Sequence, residues 1–151
     1  MQLSKDCSYG LRVAISLARR DGDANLAEIS HEHNVAPSYL AKVIGELVRE
    51  GIVVPTGPNR IRLADDPATV SVADVLAVYG ETLPLERCLM HDDVIHPCEK
   101  MEDCGLCALW KQVQQEINET LTRHTLAEFA RAAGTCELKD GPASPPDGTE
   151  E

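Results

Sequence analysis

The chain has 151 residues, a net charge of −11 and only five aromatic side chains, which points to one ordinary domain built on an aliphatic core. The acidic balance excludes a protein that coats nucleic acid through a uniformly basic surface. The only apolar run near the start, Val13 to Ala18, is short and lies between Arg12 and Arg19, so neither a signal peptide nor a membrane span is expected and the chain is expected to be cytoplasmic.

The charge is unevenly spread. Residues 1–63 carry eight Lys/Arg and seven Asp/Glu, whereas residues 64–151 carry six and eighteen. Only the first part can face a phosphate backbone.

In chain order, Ser4 can cap a first helix to about Arg20, with Leu11, Ala14, Ile15 and Ala18 on one face. Asp21-Gly22-Asp23 ends it. Asn25 followed by Glu28 resembles a capping box and opens a short helix, LAEISHEH. After a turn at Asn34-Val35, Pro37 suits the first position of a helix, PSYLAKVIGELVRE, that stops at Gly51. Two such helices joined so tightly form a helix-turn-helix whose second member reads DNA. Leu40, Val43, Ile44 and Leu47 form its inward stripe, while Ser38, Tyr39, Lys42 and Arg49 lie on other faces. On the two helices alone, an αα-hairpin of any small helical protein fits equally well.

Ile52-Val53-Val54, the turn TGPN and Arg60-Ile61-Arg62-Leu63 read as a β-hairpin. A helix-turn-helix followed by a basic hairpin is the order of a winged helix. Ser71 caps a helix VADVLAVYG closed by Gly80. The chain is then irregular and acidic to Asp103. From about Leu106 a long helix carries Leu109, Trp110, Val113, Ile117 and Leu121 at 3–4 spacing, a stripe that calls for a second copy of the chain. Thr125 with Glu128 opens a last short helix closed by Gly134. The expected organisation is mainly α with a small β-hairpin wing. A winged helix-turn-helix DNA-binding domain spans 1–80, a cysteine-rich loop 81–105, a dimerisation helix with the last short helix 106–134, and a disordered acidic tail 135–151.

Cys88, Cys98, Cys104 and Cys107 follow the spacing C-x9-C-x5-C-x2-C within the acidic loop. Neighbouring thiolates repel unless a cation neutralises them, so the cluster points to a metal centre. Zinc accepts four thiolates but favours paired C-x2-C knuckles, and only one is present. Iron–sulfur clusters tolerate uneven spacing. Spacing leans toward iron–sulfur without settling it, and His96 is an alternative ligand. A dithiol oxidoreductase using Cys104 and Cys107 is the enzymatic alternative, but the βαβ pattern it needs is missing, as is any nucleophile elbow or phosphate loop, so no enzyme is expected. Cys7 reads as a small core residue.

The run MQLSKDCSYGLR, the block APSYLAKVIGELVREGIV and the cysteine run ending in Leu109-Trp110, all in order over roughly nine-tenths of the chain, resemble the Rrf-two family of bacterial regulators of the IscR/NsrR type. The resemblance implies a homodimer that binds palindromic double-stranded operators, a repressor controlled by a 4Fe–4S or 2Fe–2S cluster that senses redox state, nitric oxide or iron status. A zinc-stabilised DNA-binding protein without sensing is the alternative. Family ligand positions carry over to Cys88, Cys98 and Cys104. The fourth falls at Cys107, where relatives have histidine, or near Ser8 of the partner's first helix, with Asp6 and Cys7 adjacent. The wing departs from the family in being shorter, with Thr56 where relatives carry arginine, and Ala41 stands where some carry a base-contacting glutamate. Ser38 and Tyr39 are then expected near base edges or their flanking phosphates, with Lys42, Arg49, Arg60 and Arg62 as phosphate-binding cations.

Overall fold

The structure is a computed structural model that describes residues 3–80 and 105–132. Cys88, Cys98, Cys104 and the tail lie outside those residues, as does the side chain of Cys107. The described elements run α1 (Lys5–Ala18), β1 (Ala24–Asn25), α2 (Leu26–Glu32), α3 (Pro37–Arg49), β2 (Val53–Gly57), β3 (Arg60–Leu63), α4 (Val72–Val78), α5 (Gly105–Arg123) and α6 (Leu126–Arg131).

Capping decides where the helices begin. Ser4 Oγ accepts the Cys7 amide at 3.2 Å, and Asn25 Oδ1 accepts the Ala27 amide at 2.8 Å. Ser71 and Asp74 form a reciprocal capping box, and Glu128 reaches back to the Thr125 amide. Each cap satisfies amides that a first helical turn leaves unpaired, typically contributing about 1 kcal/mol.

The inner face of α3 is the expected one: Leu40, Val43, Ile44 and Leu47 are all buried. The face of α1 is not. Its buried positions are Cys7, Gly10, Val13, Ala14, Ser16 and Leu17, whereas Leu11, Ile15 and Ala18 are only partly buried. The reason is placement: α1 touches α3, α4, α6 and β3, and the buried residues Cys7, Gly10, Val13, Ala14 and Leu17 recur at 3–4 spacing on one face, about a quarter turn round the helix from the stripe of Leu11, Ile15 and Ala18.

The hairpin forms as expected, with Val53 opposite Leu63 and Val54 opposite Arg62, and a bulge between Pro55 and Gly57. A third strand joins it. β1 pairs antiparallel with β3, giving the order β1-β3-β2.

The chain also closes on itself in a way its order does not announce. Ser71 and Thr125 form a bridge, the Val72 amide donates to the His124 carbonyl at 2.9 Å, and the Leu126 amide to the Val70 carbonyl at 2.9 Å. Leu126 is 0% exposed, within the core that holds Val13, Leu17, Ile29, Leu40, Leu47 and Val75. The two ends of α5 differ. Leu121 packs on the Cys7, Val72 and Leu76 cluster, whereas Leu106 and Leu109 are 56% and 51% exposed.

Candidate nucleic-acid interface and cysteine segment

The turn between α2 and α3 is made by Asn34 at φ 50. The Ser30 hydroxyl donates to the Val35 carbonyl, and the Val35 amide to the Ser30 carbonyl at 3.0 Å, so the turn keeps its polar groups satisfied. Pro37 begins α3. The outer face of α3 then presents Ser38, Ala41, Lys42, Gly45 and Arg49, all exposed. A Cβ at Gly45 meets nothing within 4 Å. A mid-helix glycine costs about 1 kcal/mol relative to alanine, and no contact among the described residues requires one there. In the sequence Gly45 shows only as a glycine interrupting an otherwise strong helix.

Three of the four expected cations are engaged by carboxylates. Lys42 Nζ lies 2.7 Å from Asp6 Oδ2, and Tyr39 Oη donates to Asp6 Oδ1 at 2.6 Å. The hydrogen bonds from Lys42 and Tyr39 hold the Asp6 carboxyl below its ordinary range. That same bond, with some burial, pushes the Tyr39 phenol up to about 12. Tyr39 packs edge-on to Tyr9, centroids 5.7 Å apart, and Arg12 lies over the Tyr9 ring. On the wing, Arg60 forks onto Asp23 with Nε at 2.7 Å and Nη2 at 2.6 Å, and Thr56 adds a third bond at 2.8 Å. Arg60 and Thr56 together hold Asp23 well below the usual carboxylate range. Arg49 lies between Glu46 and Glu50. Arg62, exposed, donates to the Leu63 carbonyl at 3.0 Å. Exposed pairs of this kind add little to stability, so their main effect is on what the surface offers a partner.

Two further contacts lock the frame, and neither was visible in the sequence. Tyr79 Oη, at the end of α4, donates to the Val43 carbonyl of α3 at 2.9 Å. Its ring end rests over Gly10. Ser16 of α1 donates to Glu32 of α2 at 2.9 Å, and Arg20 joins both. Burial opposes the Glu32 charge, but Arg20 and Ser16 outweigh it and hold the carboxyl below its ordinary range.

The cysteine segment is bounded by α4, which leads to Gly80 at φ 67, and by α5. These two helices are in contact. Cys107 is the third residue of α5. Nearby, an open cleft of about 490 Å³ lies between the start of α1 and the ends of α3 and α4, lined by Asp6, Glu46, Arg49, Tyr79 and Gly80 among others. Cys7 is 0% exposed against Val72 and Leu76, as expected of a core residue. Among the described residues, no group of three or more His, Cys, Asp or Glu is placed to hold a metal ion. None of their helices is long and apolar enough to cross a membrane.

Comparison with known proteins agrees with this geometry. Residues 3–132 match the Rrf2 family, described as an iron-dependent transcriptional regulator. The HTH-type transcriptional regulator IscR of Yersinia enterocolitica is 26% identical over 144 residues, covering 93% of this chain and 85% of that protein. Among solved structures, CymR, the global cysteine regulator of B. subtilis, superposes with a TM-score of 0.68 at 24% identity, covering 86% of this chain and 96% of that one. IscR of T. potens gives 0.67 at 22% identity, covering 93% and 94%. The last two are likenesses of fold. Mostly helical, with its small wing and a family match running from the start of α1 through α6, the chain belongs to the Rrf2 family of winged-helix transcriptional regulators, DNA-binding proteins and not enzymes.

Proposed function

We propose that the chain is a homodimeric, cytoplasmic repressor whose binding to palindromic operators is controlled by an iron–sulfur cluster held by Cys88, Cys98, Cys104 and Cys107. The observation that carries this reading is the position of the cysteine segment, which begins and ends on two helices in mutual contact, α4 and α5. The end of α4, after which the segment begins, lines a cleft together with Asp6 of α1 and Arg49 of the reading helix. When bound, such a cluster supplies a centre open to oxidation and ligand exchange.

The residues near the first helix support Cys107 as fourth ligand. Asp6 is committed to Tyr39 and Lys42, and Cys7 is buried in its own core, which leaves Ser8, a poor ligand. The half-bare apolar face of α5 supports a second copy of the chain as its cover. On DNA, Ser38 and the open backbone at Gly45 suit close approach to base edges, with Tyr39, Lys42, Arg49, Arg60 and Arg62 along the backbone.

Iron and acid-labile sulfide analysis of anaerobically purified protein, with its absorption spectrum, tests the reading. Wild type is expected to be brown, and Cys98→Ala or Cys104→Ala colourless but folded. Colourless wild-type protein containing zinc supports the zinc-stabilised alternative, and variants that keep full iron and sulfide rule out the ligand assignment.

A further inference from the structure

Two carboxylates, one at the start of α1 and one beyond its end, hold α3 and the wing by the same chemistry. Asp6, in the first turn of α1, accepts one hydroxyl and one cation from α3, Tyr39 at 2.6 Å and Lys42 at 2.7 Å. Asp23, between α1 and β1, accepts one hydroxyl and one cation from the wing, Thr56 at 2.8 Å and Arg60 at 2.7 and 2.6 Å. The side chains of Lys42 and Arg60 are 62% and 46% exposed, so neither needs an internal anion to compensate a buried charge. A hydroxyl and a cation converging on two oxygens of one anion is also how a phosphodiester is held. The same donor set therefore recurs on both elements, filled each time by the protein's own carboxylate.

We propose that Asp6 and Asp23 sit where DNA phosphates bind, as internal anions that compete with the backbone for Tyr39 and Lys42 and for Thr56 and Arg60, and so lower the affinity for DNA. The inference rests on the reading that α3 and the wing face DNA. A cation already paired neutralises no phosphate in net terms, because docking exchanges one anionic partner for another and leaves a carboxylate beside the backbone. Only the net cationic charge releases counterions, so each carboxylate removes close to one phosphate contact from the salt dependence.

The test is a salt titration of the full-length protein on a mixed-sequence duplex, followed by fluorescence anisotropy, with Asp6→Asn, Asp23→Asn, Lys42→Ala and Arg60→Ala. Each Asp→Asn change is expected to tighten binding by about two- to five-fold, from the usual strength of an exposed pair, and to steepen the plot of log K against log salt by about 0.9. The two cation-to-Ala changes are expected to weaken binding and flatten the plot. If Lys42→Ala and Arg60→Ala weaken binding while the Asp→Asn changes leave it unchanged or weaker, the carboxylates only position their partners and the proposal is overturned. If all four bind as wild type does, α3 and the wing do not face DNA, and both readings fall. Thermal unfolding confirms that each variant is folded. Since Asp23 and Asp6 act on different elements, either one carries the test alone if the other variant unfolds.

Discussion

A Cβ built on Gly10 lies 2.2 Å from Tyr79 Oη, 2.3 Å from Cε2 and 2.4 Å from Cζ. Those distances are far inside van der Waals contact, and the tyrosine is not free to swing away. Its hydroxyl is tied to the Val43 carbonyl, and burial, with the nearby Cys7 and Glu46, raises its phenol pKa. Gly10→Ala therefore either overpacks the junction of α1, α3 and α4, at about 1–3 kcal/mol, or expels the ring and loses its packing with a hydrogen bond worth roughly 1 kcal/mol. Against this stands the gain of about 1 kcal/mol from replacing a helical glycine. The net expectation is a loss of about 1 kcal/mol and at most about 2, a fall in melting temperature of a few degrees for a chain of this size. In a Tyr79→Ala background the obstacle is gone, and the same Gly10→Ala change should stabilise by about 1 kcal/mol. Urea and thermal unfolding followed by circular dichroism, at fixed protein concentration, give the full cycle. An equal penalty in both backgrounds, or none in wild type, refutes the argument that Gly10 exists to seat Tyr79.

Stability should fall with acid in two stages. Burial, reinforced by Arg12, Arg20 and Arg19 against Glu32, holds His33 below its ordinary range, so the folded state resists protonation and stability declines as pH drops past about 6.5. Asp6, Asp23 and Glu32 are held below theirs, so their contribution is present above about pH 4.5 and lost as pH falls further. Melting temperature against pH should show both limbs, and His33→Gln should remove the upper one; a flat profile from pH 7 to 5 in wild type contradicts this. On α5, Leu109→Glu with Val113→Glu should give monomers by light scattering. A dimer that survives both charges places the subunit contact elsewhere.

Local signals were legible in the sequence because they depend on neighbours. The 3–4 stripe of Leu40, Val43, Ile44 and Leu47, the caps at Ser4, Asn25, Ser71 and Thr125, and the β-branched hairpin all follow from spacings of a few residues. What the sequence hid is long-range. Asp6 finds Tyr39 across 33 residues and Asp23 finds Arg60 across 37, and no periodicity marks such a pair. β1 has two residues, too few to alternate. The return of Leu126 to the core depends on a bridge between two helix caps far apart in the chain. The face of α1 was misjudged because two apolar stripes at 3–4 spacing run along it, Leu11, Ile15 and Ala18 on one and Cys7, Gly10, Val13 and Leu17 on the other, and only the second is buried. The cations of the candidate interface can be read from residue type alone, but their carboxylate partners cannot. Cys88, Cys98 and Cys104 lie outside the described residues, so their assignment stands on spacing and family likeness.

The claim that most needs a direct measurement is that the state of the cysteine segment decides which DNA is held. Genomic fragments retained by anaerobically purified protein, sequenced and compared with those retained after a chelator and air have stripped the iron, give the answer in one experiment. The account predicts that a palindromic set, with half-sites spaced by about one helical turn or a multiple of it, is enriched in one state and lost or replaced in the other. Identical enrichment in both states contradicts it.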